Sequence, residues 1–272
     1  MLLILTAMNF DSYSLIDLFW IALPVFMLAM SKGGFPVGTV SLPILILAWP
    51  DEQQAARSAV GFLLPMLCAM DVFAMLFYRK HIQWRRLRPL LPATLGGVVV
   101  GSILFVSGES ALLSVSDRVL KLCIGILGLL FVLHQATKKW ILRHLENSEA
   151  PGTFKCSLYG FGAGLTSTLA HAAGPVMKMY LLPQKLPKLQ FAATSAGFFW
   201  MLNLAKMIPF VALGRIHETN LMLAVRLLPI IPVGVAVGYG LVRLTRQHHY
   251  IAFIYIVLFA ASFMLIVKSL GA

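Results

Sequence analysis

The sequence predicts an all-α integral membrane protein: two inverted repeats of about five helical elements, each with a broken, re-entrant hairpin near mid-membrane. Four observations predict it. Of 272 residues, 59% are hydrophobic and 12% charged, with a mean hydropathy of +0.85. The apolar residues come in continuous runs near the roughly 20 needed to cross a bilayer, not in alternation, which indicates helices instead of a barrel. A polar, helix-breaking interruption occurs twice, as Ser31-Lys32-Gly33-Gly34-Phe35-Pro36 and as His171-Ala172-Ala173-Gly174-Pro175. Finally, the basic residues gather in alternate loops.

In chain order the elements are 15–30, a short run 37–49 after the first break, 55–77, 90–106 and 119–133. After a polar connection at 135–155 they continue as 156–170, a short run 176–182, 191–213, 221–242 and 250–267. At about 1.5 Å per residue the 37–49 run reaches only about 20 Å, too short to span untilted, so it reads as a half-helix. The plan is then about eight full spans plus two half-helices. Proline supports a helix only in its first turn, so Pro36 and Pro175 are expected to open the half-helices, with their free N–H groups pointing back into the breaks. The domain division that follows is 1–134 for the first repeat, 135–155 for a cytoplasmic linker and 156–272 for the second repeat.

The repetition reaches side chains. Ala55-Ala56-Arg57-Ser58-Ala59 corresponds to Ala192-Ala193-Thr194-Ser195-Ala196 at an offset of 137, and Leu91-Pro92 with Gly97 and Gly101 to Leu228-Pro229 with Gly234 and Gly238. An odd repeat must reverse direction, and the charges agree. Loops 78–88, 135–155, 183–189 and 243–249 hold thirteen Lys/Arg, against three, Arg118, Arg215 and Lys268, in the segments assigned outside. By the positive-inside rule both termini lie outside.

The same argument disposes of other classes. A net charge of +12 in a soluble chain would point to nucleic acid; here it is loop charge. Cys68, Cys123 and Cys156 have neither CxxC spacing nor a histidine cluster, so no metal or cofactor is expected. An intramembrane enzyme would need a nucleophile with its base or paired carboxylates, yet Asp71 is the lone acidic residue deep in a span. Gly97-xxx-Gly101 and Gly234-xxx-Gly238 read as close helix packing.

The candidate site residues lie at the breaks and at the openings of the long spans. Two half-helix N-termini near mid-membrane attract an anion, with Lys32 supplying a full charge beside them. Glycine at 33, 34 and 174 lets the backbone approach a ligand, and Ser31, Phe35, Pro36, Ala173 and Pro175 complete the two segments. His171 either binds the anion, carries a coupling proton or bonds to backbone. Arg57, Ser58, Thr194 and Ser195 offer a guanidinium and hydroxyls suited to an oxyanion, Arg57 being equally suited to an interfacial anchor. Lys178, one turn into the second half-helix, lies on the same path. Asp71 and Lys206, charges inside long spans, are assigned to coupling, as a pair or with Asp71 exchanging a proton.

The glycine-proline breaks, the Ala-Arg-Ser-Ala and Ala-Thr-Ser-Ala openings, the loop Tyr78-Arg79-Lys80-His81-Ile82-Gln83-Trp84-Arg85 with its counterpart Gly214-Arg215-Ile216, and the paired GxxxG spans together carry a resemblance. Over nearly its whole length the chain resembles the TauE/SafE sulfite exporter family of bacterial inner-membrane permeases. The resemblance implies a secondary transporter exporting small sulfur-containing anions such as sulfite or organosulfonates. A passive anion channel, or an uptake permease for thiosulfate or another small oxyanion, is the alternative. The expected partners are the small anion, the lipid bilayer and, for an oligomer, a second copy in a homodimer; nucleic acid is not among them.

Overall fold

The computed structural model describes residues 14–32, 35, 37–104, 116–146, 151–216, 218–244 and 247–271. Gly33, Gly34 and Pro36 of the first break lie outside the described residues. Every regular element among the described residues is helical. The helices are α1 (Leu15–Lys32), α2 (Gly38–Ala48), α3 (Ala55–Tyr78), α4 (Trp84–Leu87), α5 (Leu91–Ile103), α6 (Asp117–Glu146), α7 (Thr153–Ala170), α8 (Gly174–Leu181), α9 (Lys188–Ala212), α10 (Glu218–Leu227), α11 (Ile230–Leu244) and α12 (Gln247–Gly271).

Local chemistry sets several of these bounds. The main-chain N–H of Asp17 donates to Ser14 Oγ at 3.1 Å while the Ser14 N–H donates to Asp17 Oδ2 at 3.2 Å, a reciprocal capping box that starts α1. Pro175 sits in the first turn of α8, as expected for a proline that opens a helix. Both short runs are helices of less than spanning length, 11 residues in α2 and 8 in α8.

Two expectations are corrected. The polar connection placed at 135–155 is helical as far as Glu146, because nothing between Gln135 and Glu146 stops a helix; the first proline is Pro151. The single span expected at 221–242 is two helices bent by 51° at Leu228-Pro229. Proline disfavours helix at the residue before it and cannot donate in the ladder, so the chain turns there. Three described helices, Leu15–Lys32, Ala55–Leu76 and Leu189–Ala212, are long and apolar enough to cross a membrane, and a fourth is reached only by counting the bent pair as one broken span.

The chain forms two compact units, each drawing on both halves of the sequence. The first gathers the described residues of Met1–Met66, Ser116–Leu129 and Arg215–Ala272; the second gathers those of Leu67–Val115 and Leu130–Gly214. Each unit contains a crossing lined by the glycines of a GxxxG span. In the first, α11 lies on α1, where a Cβ on Gly234 would stand 2.6 Å from the Ala29 Cβ and one on Gly238 2.3 Å from the Met30 carbonyl oxygen. In the second, α5 lies on α7, where a Cβ on Gly97 would stand 2.2 Å from the Phe161 carbonyl oxygen and one on Gly101 2.8 Å from Thr168. The close packing expected of both GxxxG spans is therefore present. It brings backbones together for van der Waals contact, which matters where lipid tails leave apolar burial little driving force.

The openings of the long helices are seated in a similar way. Gly61, near the start of α3, lies against the Arg215 carbonyl in the first unit, and Gly197, near the start of α9, against the Ile82 side chain in the second. In each unit the loop that follows one long helix packs on the beginning of the other.

A candidate anion and coupling site

In the second unit, α7 ends at Ala170 and His171 takes the left-handed conformation, φ 49°. That conformation is uncommon for a residue with a Cβ, and histidine tolerates it better than most. The His171 N–H bonds back to the Ser167 carbonyl at 2.9 Å and the Ala172 N–H to the Thr166 carbonyl at 3.2 Å, wrapping the helix end. Onto this end comes Lys206 from α9, a lysine with no exposed surface. Its Nζ lies 3.2 Å from the Ser167 carbonyl, 2.9 Å from Ser167 Oγ and 2.9 Å from His171 Nδ1.

A buried ammonium persists only where acceptors replace its water. The negative end of a helix, with its orphan carbonyls, is a favourable place for one. An ammonium has three donors and no acceptor, so with Lys206 charged His171 Nδ1 accepts and the ring proton sits on Nε2. Protonating Nδ1 and keeping this contact are mutually exclusive.

One turn earlier on α9, Asn203 Nδ2 donates to Asp71 Oδ2 at 2.6 Å, and Asp71 is fully buried. Residues three apart share a helix face, so Asn203 and Lys206 present a polar stripe that joins the Asp71 carboxylate on α3 to the end of α7. The structure thus brings together His171, Lys206, Ser167 and, through Asn203, Asp71. Neither Ser167 nor Asn203 was among the residues predicted from sequence. A signal for both existed: Asn203 lies three residues before Lys206 in an apolar span, and Ser167 four before His171.

The other predicted residues of this unit are placed as follows. Ala173 is buried and caps α8, and Gly174 faces open space, with no atom within 4 Å of where its Cβ would be. Lys178 is exposed. Thr194 is fully buried, and its Oγ1 accepts from the Gln83 N–H at 3.1 Å, so that hydroxyl ties the basic loop to the opening of α9. Ser195 is half-buried beside it.

In the first unit, hydrogen bonds of the described break residues include local ones. Ser31 Oγ donates to the Leu28 carbonyl at 2.6 Å, and a Cβ on Gly38 would meet Ser31 Oγ at 2.5 Å. Lys32, half-buried, stands in the last turn of α1, where a cation complements the helix dipole, and the Phe35 N–H bonds to the Met30 carbonyl at 3.2 Å. At the start of α3 the N–H groups of Ala56 and Arg57 donate to the Asp117 carboxylate at 3.3 and 3.0 Å, and Lys121 pairs with the same carboxylate at 3.1 Å. A carboxylate from α6 therefore occupies a helix N-terminus, the seat an anion would choose. Ser58 is half-buried next to it. Nearby, burial pulls the Arg215 guanidinium below its ordinary value; the Arg57 charge adds to this and Asp117 opposes it.

A profile of the sulfite exporter TauE/SafE family matches residues 20–265, a stretch that includes both breaks and all four GxxxG glycines. No match was found among curated proteins or among solved structures. The apolar helices fit a multi-pass membrane protein, and the family is one of transporters for small anions, not of enzymes. The chain belongs to the TauE/SafE sulfite exporter family.

Proposed function

We propose that the protein is a secondary transporter that exports small sulfur-containing anions, sulfite or organosulfonates, across the bacterial inner membrane. It works by alternating access at the interface of two inverted repeats and is coupled to protons. The observation that carries this reading is the Lys206–His171–Ser167 contact at the broken end of α7. It sets a buried cation beside an imidazole, directly before a half-helix whose first glycine has open space in front of it. An anion near Gly174 meets the positive end of α8 and the Lys206 charge, and a proton taken by His171 displaces Lys206 from the ring. Coupling in this scheme runs through Asp71, Asn203, Lys206 and His171, and by the sequence correspondence Lys32 offers an anion contact at the first break.

The matched glycine crossings, α11 on α1 and α5 on α7, support the inverted repeat, because they pair equivalent helices at equivalent glycines. Contacts of Glu52 with Lys268 and of Arg118 with Ser269 join segments that the charge rule assigns to the periplasmic side.

The test is flux in proteoliposomes loaded with sulfite. An imposed proton gradient should drive sulfite against its own gradient, and Asp71→Asn should lose that drive while retaining sulfite affinity. Purely electrodiffusive sulfite current, equal in the wild type and Asp71→Asn, would make the protein a channel instead.

A further inference from the structure

The first unit holds a cleft of about 330 Å³ where the ends of α2 and α12 meet the start of α6. Ile46 and Leu265, both buried, give it apolar walls, and Arg118, Lys121 and Lys268 face a single lining carboxylate, Glu52. Its volume is roughly that of ten waters, room for a small hydrated anion. Arg118 is committed to the fold: it caps α12 by donating to the carbonyls of Ser269 and Leu270. The two lysines converge on Glu52. Lys268 Nζ lies 2.7 Å from its Oε1, and Lys121 Nζ donates to its main-chain carbonyl as well as pairing with Asp117.

Glu52 is 75% exposed and Lys268 41% exposed. An ion pair this open to water is held weakly, so a solute anion can take the carboxylate's place on Lys268. Once Glu52 swings out, positive charge in the cleft is in excess, because Arg118 and Lys121 lie along the same wall.

We propose that this cleft is an oxyanion site of the sulfate, sulfite or phosphate type, in which the Glu52 carboxylate is a tethered competitor that an incoming anion displaces. The anion is either a free solute or a lipid headgroup phosphate. The site needs no residue of either break and stands whether or not the protein carries anions across the membrane.

The test uses the full chain in phosphatidylcholine nanodiscs, with Cys68, Cys123 and Cys156 replaced by Ala and an environment-sensitive fluorophore on Gln53→Cys in the cleft. Sulfate titrated at constant ionic strength in gluconate should give a saturable signal. Adding Glu52→Gln should lower the half-saturating sulfate about three- to fivefold, the weight of one exposed ion pair, and Lys268→Gln should raise it by a similar factor. Asp51→Asn removes an equal charge from the same turn without touching Lys268, and should leave the midpoint unchanged. A midpoint indifferent to Glu52→Gln, or shifted equally by Asp51→Asn, overturns the tethered-competitor site. Exchanging the nanodisc for dodecyl maltoside, a neutral detergent without phosphate, separates the two sources: a lowered midpoint identifies the headgroup phosphate as the occupant, and an unchanged one identifies the soluble anion.

Discussion

The two breaks share glycine and proline but are closed by different chemistry. At the first, the hydroxyl of Ser31 turns back on the carbonyl three residues earlier and Lys32 caps the helix that carries it. Both of these contacts lie within one helix. At the second, the cap comes from 35 residues further along the chain: Lys206 reaches from α9 to hold Ser167 and His171. A contact within one helix depends on its own few residues, whereas one made by a distant lysine is tied to the position of another helix. If α9 moves, the end of α7 must change partners, which makes the second break the better place for a switch.

Removing the distant clasp should give the largest effect. Lys206→Ala leaves the carbonyl and hydroxyl of Ser167 without their ammonium in a dry site. Leaving a buried polar group without its partner costs about 1–3 kcal/mol, and here two groups lose theirs. The thermal midpoint in detergent should fall sharply, whereas Ser31→Ala at the first break, which deletes one local hydrogen bond, should cost about 1 kcal/mol. Equal losses from the two variants would abolish the contrast between them.

A second pair of variants separates packing from ligand contact. Gly97→Val drives a side chain into the Phe161 carbonyl and should destabilise the protein by about 1–3 kcal/mol or more. A Cβ at Gly174 has no protein atom within 4 Å, so the melting of Gly174→Val should stay near wild type while sulfite binding, read by titration calorimetry, is lost. Wild-type affinity in a folded Gly174→Val protein would move the anion away from the second break.

The smallest effect on stability belongs to Lys32→Ala. A half-buried lysine in a last helical turn contributes a few tenths of a kcal/mol to about 1 kcal/mol, so folding should scarcely change. Its effect on affinity is the sharper measurement. If Lys32 contributes a charge-assisted contact to the anion, affinity should drop about ten- to a hundredfold. No drop would leave Lys32 as a helix cap and place the anion's full charge partner at Lys206.

The sequence alone determined the class, the short helix after each break and the close crossings, because each rests on local or repeating rules. Apolar run length speaks to lipid, proline and glycine act on their own neighbours, and small residues four apart mark one helix face. It misplaced the end of α6 and the kink at Leu228-Pro229, where a polar stretch without a stop signal and an apolar one with a proline were read by composition instead of by helix chemistry. Only the tertiary structure decided what the charges do. Asp117 lies 60 residues from the Arg57 N–H that it accepts, Asn203 is 132 from Asp71, and Lys206 is 39 from Ser167. No spacing rule reaches across such separations. The cost of burying a charge obliges each to find a partner but does not name it; the packing of one helix against another does.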